Sequence, residues 1–309
     1  MPVNPDLSVD LFNCKLKNPT ILASGILGTT RDLLKTVSLN GAGAVTIKSI
    51  SKEPRYGHPN PTVLSFGPGL INAVGYSNPG IEKASEEFCE LDQVGCPVIG
   101  SLIGTTAEEF IYVASIMDKM GFAALEVPLS CPHTPGYGKM GNQDNPEEVS
   151  RIVTAICSAS TKPLFVKLPP LASAGNLIEM ALAAKESGAY GITASNTIGP
   201  GMLIDIDSAK PYLGFGIGGI SGPALKPLAI ATVFELYKAV DMPIIGTGGV
   251  STGRDAVEMI MAGATAVGVG TAVLSRGMSA FRDIADEIKE ILSLRGANNL
   301  SEVRGLAHR

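Results

Sequence analysis

Eight short apolar segments, each followed by a segment with helical periodicity, constrain the fold of this chain more than any other feature. Strand–helix alternation repeated eight times is the pattern of a closed parallel α/β barrel, the (β/α)8 or TIM barrel, which needs about 250 residues plus insertions. The chain has 309 residues, which fits that size. The predicted strands are Pro19–Ser24, Ala44–Lys48, Val98–Leu102, Ala124–Leu129, Leu164–Leu168, Gly191–Ser195, Met242–Gly246 and Ala266–Gly270. The predicted helices include Ala107–Lys119, Asn145–Ser158, Asn176–Ser187, Pro227–Ala239 and Gly253–Ala262.

An open doubly wound sheet is the competing α/β fold. It is disfavoured because no strand runs into a convincing GxGxxG that opens a helix and has an acidic residue about 20 positions later. At the N-terminus, Leu7–Pro19 alternates in polarity and contains a turn at Asn13, which predicts a β-hairpin capping the bottom of the barrel. With no linker and no repeat of fixed period, we expect one domain over residues 1–309.

Three long segments rich in turn-forming residues interrupt the alternation: Ser49–Pro79, Cys131–Asn145 and Asn196–Lys226. Long loops inside a compact domain are usually functional. Each of the three follows the C-terminal end of a predicted strand, which is where barrel enzymes keep their active sites. We therefore expect long active-site loops on the C-terminal face.

Charge and cysteine spacing argue against several functions. The formal net charge is −5 with no run of Lys or Arg, which disfavours nucleic acid as a partner. The five cysteines are scattered without a CxxC pair, which disfavours a disulfide framework and a zinc site. The N-terminal MPVNPDLSVDLF lacks the basic and apolar regions of a signal peptide, and no apolar stretch is long enough for a membrane span. We expect a cytoplasmic protein without a bound metal.

Glycine pairs at the ends of the last two strands point to a phosphate site. Strand seven runs into Gly246–Thr252, and strand eight runs into Gly268–Thr271. In barrels these two loops, together with the N-terminus of a short helix, commonly bind phosphate, because glycines let backbone N–H groups point at the anion. Tight turns without a ligand are the alternative explanation.

Two lysines end apolar strands. Lys48, in VTIKS, is the last residue of the second predicted strand, and Lys167, in LFVKL, lies at the end of the fifth. An ammonium group at the end of a buried strand needs a partner in the barrel mouth, because leaving it unpaired is costly. That partner is either an anionic ligand or a buried carboxylate such as Glu126.

Other reactive or polar side chains lie in the long loops. Cys131, in LSCPH, is either a reactive thiol or a small buried side chain, and spacing alone does not decide between them. The adjacent His133 is a candidate base. Asn72, Asn78 and Asn196 could read the amide edge of a ring, although each could equally be a turn residue.

Segments spread over nearly the whole chain carry a specific resemblance when they are taken together. They are ASG (Ala23–Gly25), IKSISKEPR (Ile47–Arg55), GLINAVGYSNPG (Gly69–Gly80), LSCP (Leu129–Pro132), VKL (Val166–Leu168), SNT (Ser195–Thr197), GGISGPALKPLA (Gly218–Ala229) and the GTGG…GVGTA end. The chain resembles the dihydroorotate dehydrogenases of the soluble class 1, which are FMN enzymes of pyrimidine synthesis that oxidise dihydroorotate to orotate.

Within that family, ISGPALKPLA and LIDIDSAKP are more similar to the NAD-linked type than to the fumarate-using type. The resemblance implies a catalytic FMN subunit, with a homodimer core, that works with an electron-transfer subunit carrying FAD and an iron–sulfur cluster. This chain has no ferredoxin-like cysteine run to hold such a cluster. NAD binding would therefore belong to the partner.

The resemblance also implies roles for individual residues. Cys131 would take a proton from the substrate ring while a hydride leaves the neighbouring carbon for the flavin, and Lys48 would lie beside both flavin and substrate. The residues implied to line the substrate are Lys48, Asn72, Gly75, Tyr76, His133, Asn196 and Thr197. The residues implied to bind FMN are Ala23, Ser24, Gly25, Lys48, Lys167, Ser221, Gly222, Gly248, Gly249, Gly270 and Thr271.

The chain departs from the family pattern at two positions. Asn is usual three residues before the cysteine and two residues after it, whereas Pro128 and His133 stand there. His133 gives the SCPH motif of the related dihydropyrimidine dehydrogenases, so oxidation of dihydrouracil is an alternative function. Further alternatives are a non-redox barrel lyase or isomerase with a phosphorylated substrate, and a catalytically idle flavin-binding subunit.

Overall fold

The computed structural model describes residues 4–171 and 175–309. Its strands are β1 (Val9–Leu11), β2 (Cys14–Leu16), β3 (Thr20–Leu22), β4 (Ala44–Thr46), β5 (Val63–Phe66), β6 (Gly69–Asn72), β7 (Val98–Ser101), β8 (Ala124–Pro128), β9 (Leu164–Leu168), β10 (Gly191–Ala194), β11 (Ile198–Gly201), β12 (Ile204–Asp205), β13 (Lys210–Pro211), β14 (Gly218–Ser221), β15 (Ile244–Thr247) and β16 (Ala266–Val269). Its α-helices are α1 (Arg31–Leu39), α2 (Ile81–Glu87), α3 (Ala107–Asp118), α4 (Pro146–Ala159), α5 (Leu177–Glu186), α6 (Lys226–Ala239), α7 (Gly253–Met261), α8 (Ala272–Arg276) and α9 (Ala280–Leu294).

Eight parallel strands close into a barrel in the order β10-β15-β16-β3-β4-β7-β8-β9. Closure is completed where β16 pairs with β3 through Val267 and Thr20. Nearly every barrel-strand residue is buried, which explains why these segments are continuous apolar runs rather than alternating ones. The (β/α)8 barrel and its eight predicted strands are confirmed, with ends that differ by one or two residues.

Local signals fix the helices around the barrel. The side chain of Thr106 caps α3, and that of Asn145 caps α4 ahead of Pro146 at its first turn. In α7, Thr252 and Asp255 form a reciprocal capping box. The five helices named from sequence periodicity are confirmed within one or two residues at each end.

The predicted N-terminal hairpin is confirmed by the antiparallel pairing of β1 and β2. Phe12, at its turn, is buried with its ring edge against Phe165 at 6.2 Å between centroids. The Phe12 N–H donates to the hydroxyl of Tyr190 at 3.0 Å. Because Phe165 and Tyr190 lie at the N-terminal ends of β9 and β10, the hairpin closes the bottom of the barrel.

Two of the predicted loops are more ordered than their sequences indicate. Strands β5 and β6 from the loop after β4, and β11 and β14 from the loop after β10, form one antiparallel sheet in the order β11-β14-β6-β5. Its central pairing joins Asn72 to Gly219 and Leu70 to Ser221. These strands are short and glycine-rich, so each is stable only through the other loop, a pairing that local sequence does not reveal.

No helix in residues 4–171 and 175–309 combines the length and the apolar character needed to cross a membrane.

Candidate active site

A cavity of about 450 Å³ opens at the C-terminal end of the barrel, between the strand ends and the sheet formed by β5, β6, β11 and β14. Its size is in the range of cofactor and substrate sites. The structure brings all the residues that the resemblance implies for substrate and FMN to its lining: Ala23, Ser24, Gly25, Lys48, Asn72, Gly75, Tyr76, Cys131, His133, Lys167, Asn196, Thr197, Ser221, Gly222, Gly248, Gly249, Gly270 and Thr271. Asn78 lies outside it and is a turn residue, with its amide bonded to Ser51 and to the Tyr76 carbonyl.

Lys48 and Lys167 face this cavity without a partner in the described part of the chain. Neither ammonium group has a carboxylate within 4.0 Å or a hydrogen-bond acceptor there. Burial and the nearby charge of Lys167 lower the pKa of Lys48 to about 8. Glu126, the alternative partner, instead accepts a hydrogen bond from Thr193 at 2.8 Å. Two unpaired cations in one cavity predict an anionic ligand.

Backbone N–H groups form an anion site at the far end of the cavity. Those of Gly248, Gly249, Gly270 and Thr271 have no acceptor among the residues that the structure describes. Gly248 and Gly249 line the cavity and adopt φ of +128° and +76°, a backbone conformation that favours glycine and occurs in anion-binding loops. The arrangement fits a phosphate group.

The short helix α8 begins at Ala272, directly after the glycine loop that ends at Thr271, whereas the N-terminus of α7 is occupied by carboxylates. The N–H groups of Ser251 and Thr252 donate to the Asp255 carboxylate, and that of Gly253 donates to Glu287. The helix dipole is therefore satisfied by these two carboxylates.

Three serines hydrogen-bond to one another at the base of the cavity. Ser49 and Ser101 are 2.8 Å apart at their hydroxyls, and Ser24 lies 3.3 Å from each. Ser24 was predicted as a site residue from the sequence, whereas Ser49 and Ser101 were not. Ser101 is a polar side chain ending the apolar strand VIGS, the same signal that marked the lysines. The neighbouring Gly25 has a φ of +92°, which favours glycine, and a Cβ there would lie 3.7 Å from Lys48 Nζ.

Cys131 lies at the opposite side of the cavity, with 4% of its surface exposed. Its thiol donates a hydrogen bond to Thr134 Oγ1 at 3.1 Å. The side chain belongs to a buried cluster with Ile103 and Tyr137, against which Tyr76 packs. Sequence reasoning missed Thr134 and Tyr137, which carry no local signal. A thiol that reaches a cavity beside two cations has the surroundings of a reactive cysteine.

His133 is buried beside Cys131 and is electrically neutral at physiological pH. Burial, together with the charges of His58 and Lys48, lowers its pKa to about 4. Its Nδ1 atom is buried without a hydrogen-bond partner, and its ring lies 6.2 Å from the ring of His58. His133 thus brings a ring nitrogen without a partner to the residues that line the cavity, whereas Pro128 offers no side-chain polar group.

The substrate end combines side chains from the two loops that form the extra sheet. Asn72 ends β6, and Asn196 follows β10 with its Oδ1 accepting from the Thr197 N–H at 2.9 Å. Gly75 has a φ of +72°, and a Cβ there would lie 2.7 Å from the ring of His58. The described residues contain no group of three or more His, Cys, Asp or Glu placed to hold a metal ion.

Comparisons with known proteins identify the family of the chain. The family model described as dihydroorotate dehydrogenase matches residues 6–292. A relative from Pyrococcus abyssi, "Dihydroorotate dehydrogenase B (NAD(+)), catalytic subunit", is 44% identical over 97% of this chain and 99% of its own length. A relative of the same name from Methanocella arvoryzae is 44% identical over 95% of this chain and 95% of its own length. Another from Methanothermobacter thermautotrophicus is 41% identical over 98% of each chain.

Proposed function

This chain belongs to the dihydroorotate dehydrogenase family, the oxidoreductases that oxidise dihydroorotate in pyrimidine biosynthesis, and we propose that its cavity does so with FMN as cofactor and Cys131 as base. The observation that carries the proposal is the arrangement of one cavity. Two unpaired lysines, an anion site of backbone N–H groups and a buried thiol line the same cavity.

The donors present in the cavity fit FMN. The N–H groups of Gly248, Gly249, Gly270 and Thr271 would hold the phosphate. Ala23, Ser24 and Gly25 would contact the ring, and Lys167 would face its pyrimidine edge. Ser221 and Gly222 would complete the phosphate end, where Thr271 Oγ1 donates to Ser221 Oγ at 3.0 Å and joins the two loops. When bound, FMN supplies the acceptor for a hydride.

The remaining part of the cavity fits dihydroorotate. Its carboxylate requires a cation or N–H donors, which Lys48 and the backbone near Gly75 and Tyr76 supply. The amides of Asn72 and Asn196 and the hydroxyl of Thr197 would bind the polar ring edge. Neutral His133 would offer one donor or acceptor there according to its tautomer.

Proton removal is the task we assign to Cys131. As a thiolate it would accept the proton of one ring carbon while the neighbouring carbon loses a hydride. Lys48 would hold the substrate so that both C–H bonds are correctly placed. Exclusion of water follows from the sheet formed by β5, β6, β11 and β14, which covers the cavity.

Cofactor identity is tested by extraction. We expect one FMN and no FAD for each chain of purified protein, because the cavity has one phosphate site and the sequence lacks a dinucleotide fingerprint. Mass spectrometry of the released cofactor distinguishes FMN from FAD. Recovery of FAD, or of no flavin after incubation with FMN, would refute the cofactor assignment.

Substrate identity is tested by anaerobic bleaching of the flavin. We expect dihydroorotate to bleach it rapidly and dihydrouracil, which lacks the carboxylate, to bleach it slowly. A faster reaction with dihydrouracil would assign the protein to dihydropyrimidine oxidation. No bleaching by either compound would indicate a catalytically idle subunit.

We further propose that the chain works with an electron-transfer subunit carrying FAD and an iron–sulfur cluster, since its relatives are named NAD(+)-linked catalytic subunits. The isolated chain should then reduce dyes but not NAD, and affinity purification from the native source should recover the partner.

The β12–β13 hairpin exposes Ile204 and Ile206, which supports a homodimer core that light scattering can test. The five unpaired cysteines fit a reducing compartment, and we place the protein in the cytoplasm.

A further inference from the structure

Hydroxyl groups surround the sulfur of Cys131, and the proton transfer described above assigns them no role. Tyr76 packs against the buried cluster that contains Cys131 and Tyr137. The rings of Tyr76 and Tyr137 are 5.3 Å apart, and Lys48 Nζ lies 5.8 Å from the centre of the Tyr76 ring. Tyr76 is therefore close both to the cation proposed to bind the substrate and to the cluster that contains the proposed base.

One of these hydroxyl groups is hydrogen-bonded to the sulfur, and a second belongs to a side chain packed against the same cluster. Thr134 Oγ1 accepts a hydrogen bond from the thiol at 3.1 Å. Burial, followed by the charge of Cys131 and a hydrogen-bonding interaction with it, raises the pKa of Tyr76 well above its usual value. The phenol therefore stays protonated at every pH where the enzyme would work, so Tyr76 can donate a hydrogen bond but cannot serve as a base.

The charged and titratable groups around this cluster come from several elements. Those that face it are Lys48, Lys167, Glu126, Arg55, His133 and Tyr137. The charge of His58 lowers the pKa of His133, and the charge of Glu109 raises the pKa of Tyr137, so these two groups affect neighbours of the sulfur rather than the sulfur itself. Lys48, with a pKa of about 8, is the member of this group that titrates close to neutral pH.

We propose that Tyr76 is a positioning residue that donates its hydroxyl hydrogen bond to the thiolate of Cys131, with Thr134 turning its own hydroxyl to donate as well. A thiolate accepts hydrogen bonds and has no proton to donate, so the Thr134 hydroxyl must rotate when the thiol loses its proton. Hydrogen bonds to the charged form favour that form, and they are stronger than neutral ones. The two hydroxyl groups therefore increase the fraction of active base.

This inference rests on the proposed role of Cys131 as the base. In the step itself, the C–H bond of one ring carbon breaks and an S–H bond forms. The electron pair of the neighbouring C–H bond leaves as hydride to FMN, and the new double bond forms between the two carbons. Tyr76 keeps its proton from beginning to end, so no further acceptor is required.

The first test compares flavin reduction by dihydroorotate in wild type and Tyr76→Phe over a range of pH. Dihydroorotate is kept saturating, so that loss of the Lys48 charge as the pH rises through about 8 does not limit the rate. Because the rate requires the thiolate, it then rises with pH to a plateau. We expect the midpoint of Tyr76→Phe to lie about one pH unit higher, with a rate about tenfold lower at neutral pH and close to wild type at the plateau. A midpoint that does not move, or an equal loss at every pH, would overturn the proposal.

Matched variants separate the hydroxyl from its surroundings. Tyr137→Phe removes a phenol from the same cluster, but that hydroxyl accepts from Arg55 at 3.1 Å, so the midpoint should stay at the wild-type value. Thr134→Val should move the midpoint upward, as Tyr76→Phe does. Because Lys48 Nζ lies 5.8 Å from the Tyr76 ring, the titration of Lys48 is followed separately in each variant by the pH dependence of orotate binding, which should keep its wild-type midpoint. An equal shift in Tyr137→Phe would contradict a specific role for Tyr76.

A second measurement does not depend on the reaction. Iodoacetamide alkylates thiolates, so the pH dependence of Cys131 alkylation in the substrate-free holoprotein, followed by peptide mass, reports the same equilibrium. Its midpoint should rise by about one pH unit in Tyr76→Phe, whereas that of the exposed Cys89 should not change. If dihydroorotate fails to reduce the wild-type flavin, the proposed function is wrong but this measurement still tests Tyr76. Identical Cys131 profiles in wild type and Tyr76→Phe would refute the inference.

Discussion

Raising the pH should weaken the binding of orotate to this protein, because the carboxylate of orotate requires the protonated form of Lys48. Burial and the neighbouring Lys167 lower the pKa of Lys48 to about 8, so its charge is lost as the pH rises through that value. The protonated fraction falls from about 0.9 at pH 7 to about 0.1 at pH 9, which corresponds to about a tenfold loss of affinity. Below pH 7 the affinity should be nearly constant.

The substitution Lys48→Met keeps most of the side-chain volume and removes the charge. Removing one partner of a buried charged pair typically costs about 2–5 kcal/mol, which corresponds to about 30-fold to about 5,000-fold weaker orotate binding. The pH dependence near 8 should disappear in this variant. Uracil, which has the same ring without the carboxylate, should bind with little change.

Flavin absorbance shifts on titration with orotate measure both effects. Lys52→Met is the matched control, because Lys52 lies on the same loop with its ammonium over the Tyr112 ring, and it should leave orotate binding unchanged. Wild-type affinity that does not depend on pH between 7 and 9 would contradict the reasoning. The same conclusion would follow if Lys48→Met kept the pH dependence, since another group would then bind the carboxylate.

Three further predictions concern other parts of the cavity. Cys131→Ala should leave the flavin spectrum intact and slow reduction by dihydroorotate about 10²–10⁴-fold, the usual contribution of a positioned base, and a change of only a few-fold would make Cys131 structural. His133→Asn should leave orotate affinity unchanged or raise it by up to about tenfold, because an amide adds a hydrogen bond worth about 0.5–1.5 kcal/mol. Clearly weaker orotate binding would show that the imidazole is the better partner. Gly249→Ala should lower FMN retention in gel filtration, because its Cβ would lie 2.5 Å from the Lys226 side chain. Gly277 has a similar positive φ and open space around it, so Gly277→Ala should retain FMN. Equal loss of FMN in both variants would indicate backbone strain alone.

Much of the barrel could be predicted from local sequence, because burial on both faces gives parallel strands their continuous apolar runs. The segment Leu164–Leu168 was identified with both its ends correct. The cavity lining was equally accessible, since a lysine ending an apolar strand and glycines following one are local patterns. The resemblance to a known family supplied roles for residues such as Asn72, whose type alone does not separate a binding residue from a turn.

Contacts between distant segments were not predictable in this way. The strands β6 and β14 lie about 150 positions apart in the chain, and their pairing depends on both loops being folded. The hydroxyls of Ser49 and Ser101 meet only because β4 and β7 are neighbours in the closed barrel. Each such contact joins segments whose own sequences contain no signal for the other.

The sequence by itself determined which residues reach the mouth of the barrel, because strand direction and side-chain alternation are local properties. Only the tertiary structure decided what those residues meet there. Lys48 has no carboxylate partner within the described residues, and Glu126 bonds to Thr193. The thiol of Cys131 donates to Thr134, and Tyr76 packs against the cluster that contains Cys131. The physical reason is that pKa values and hydrogen-bond partners depend on burial and on neighbours within a few ångströms, and the closure of the barrel brings those neighbours together.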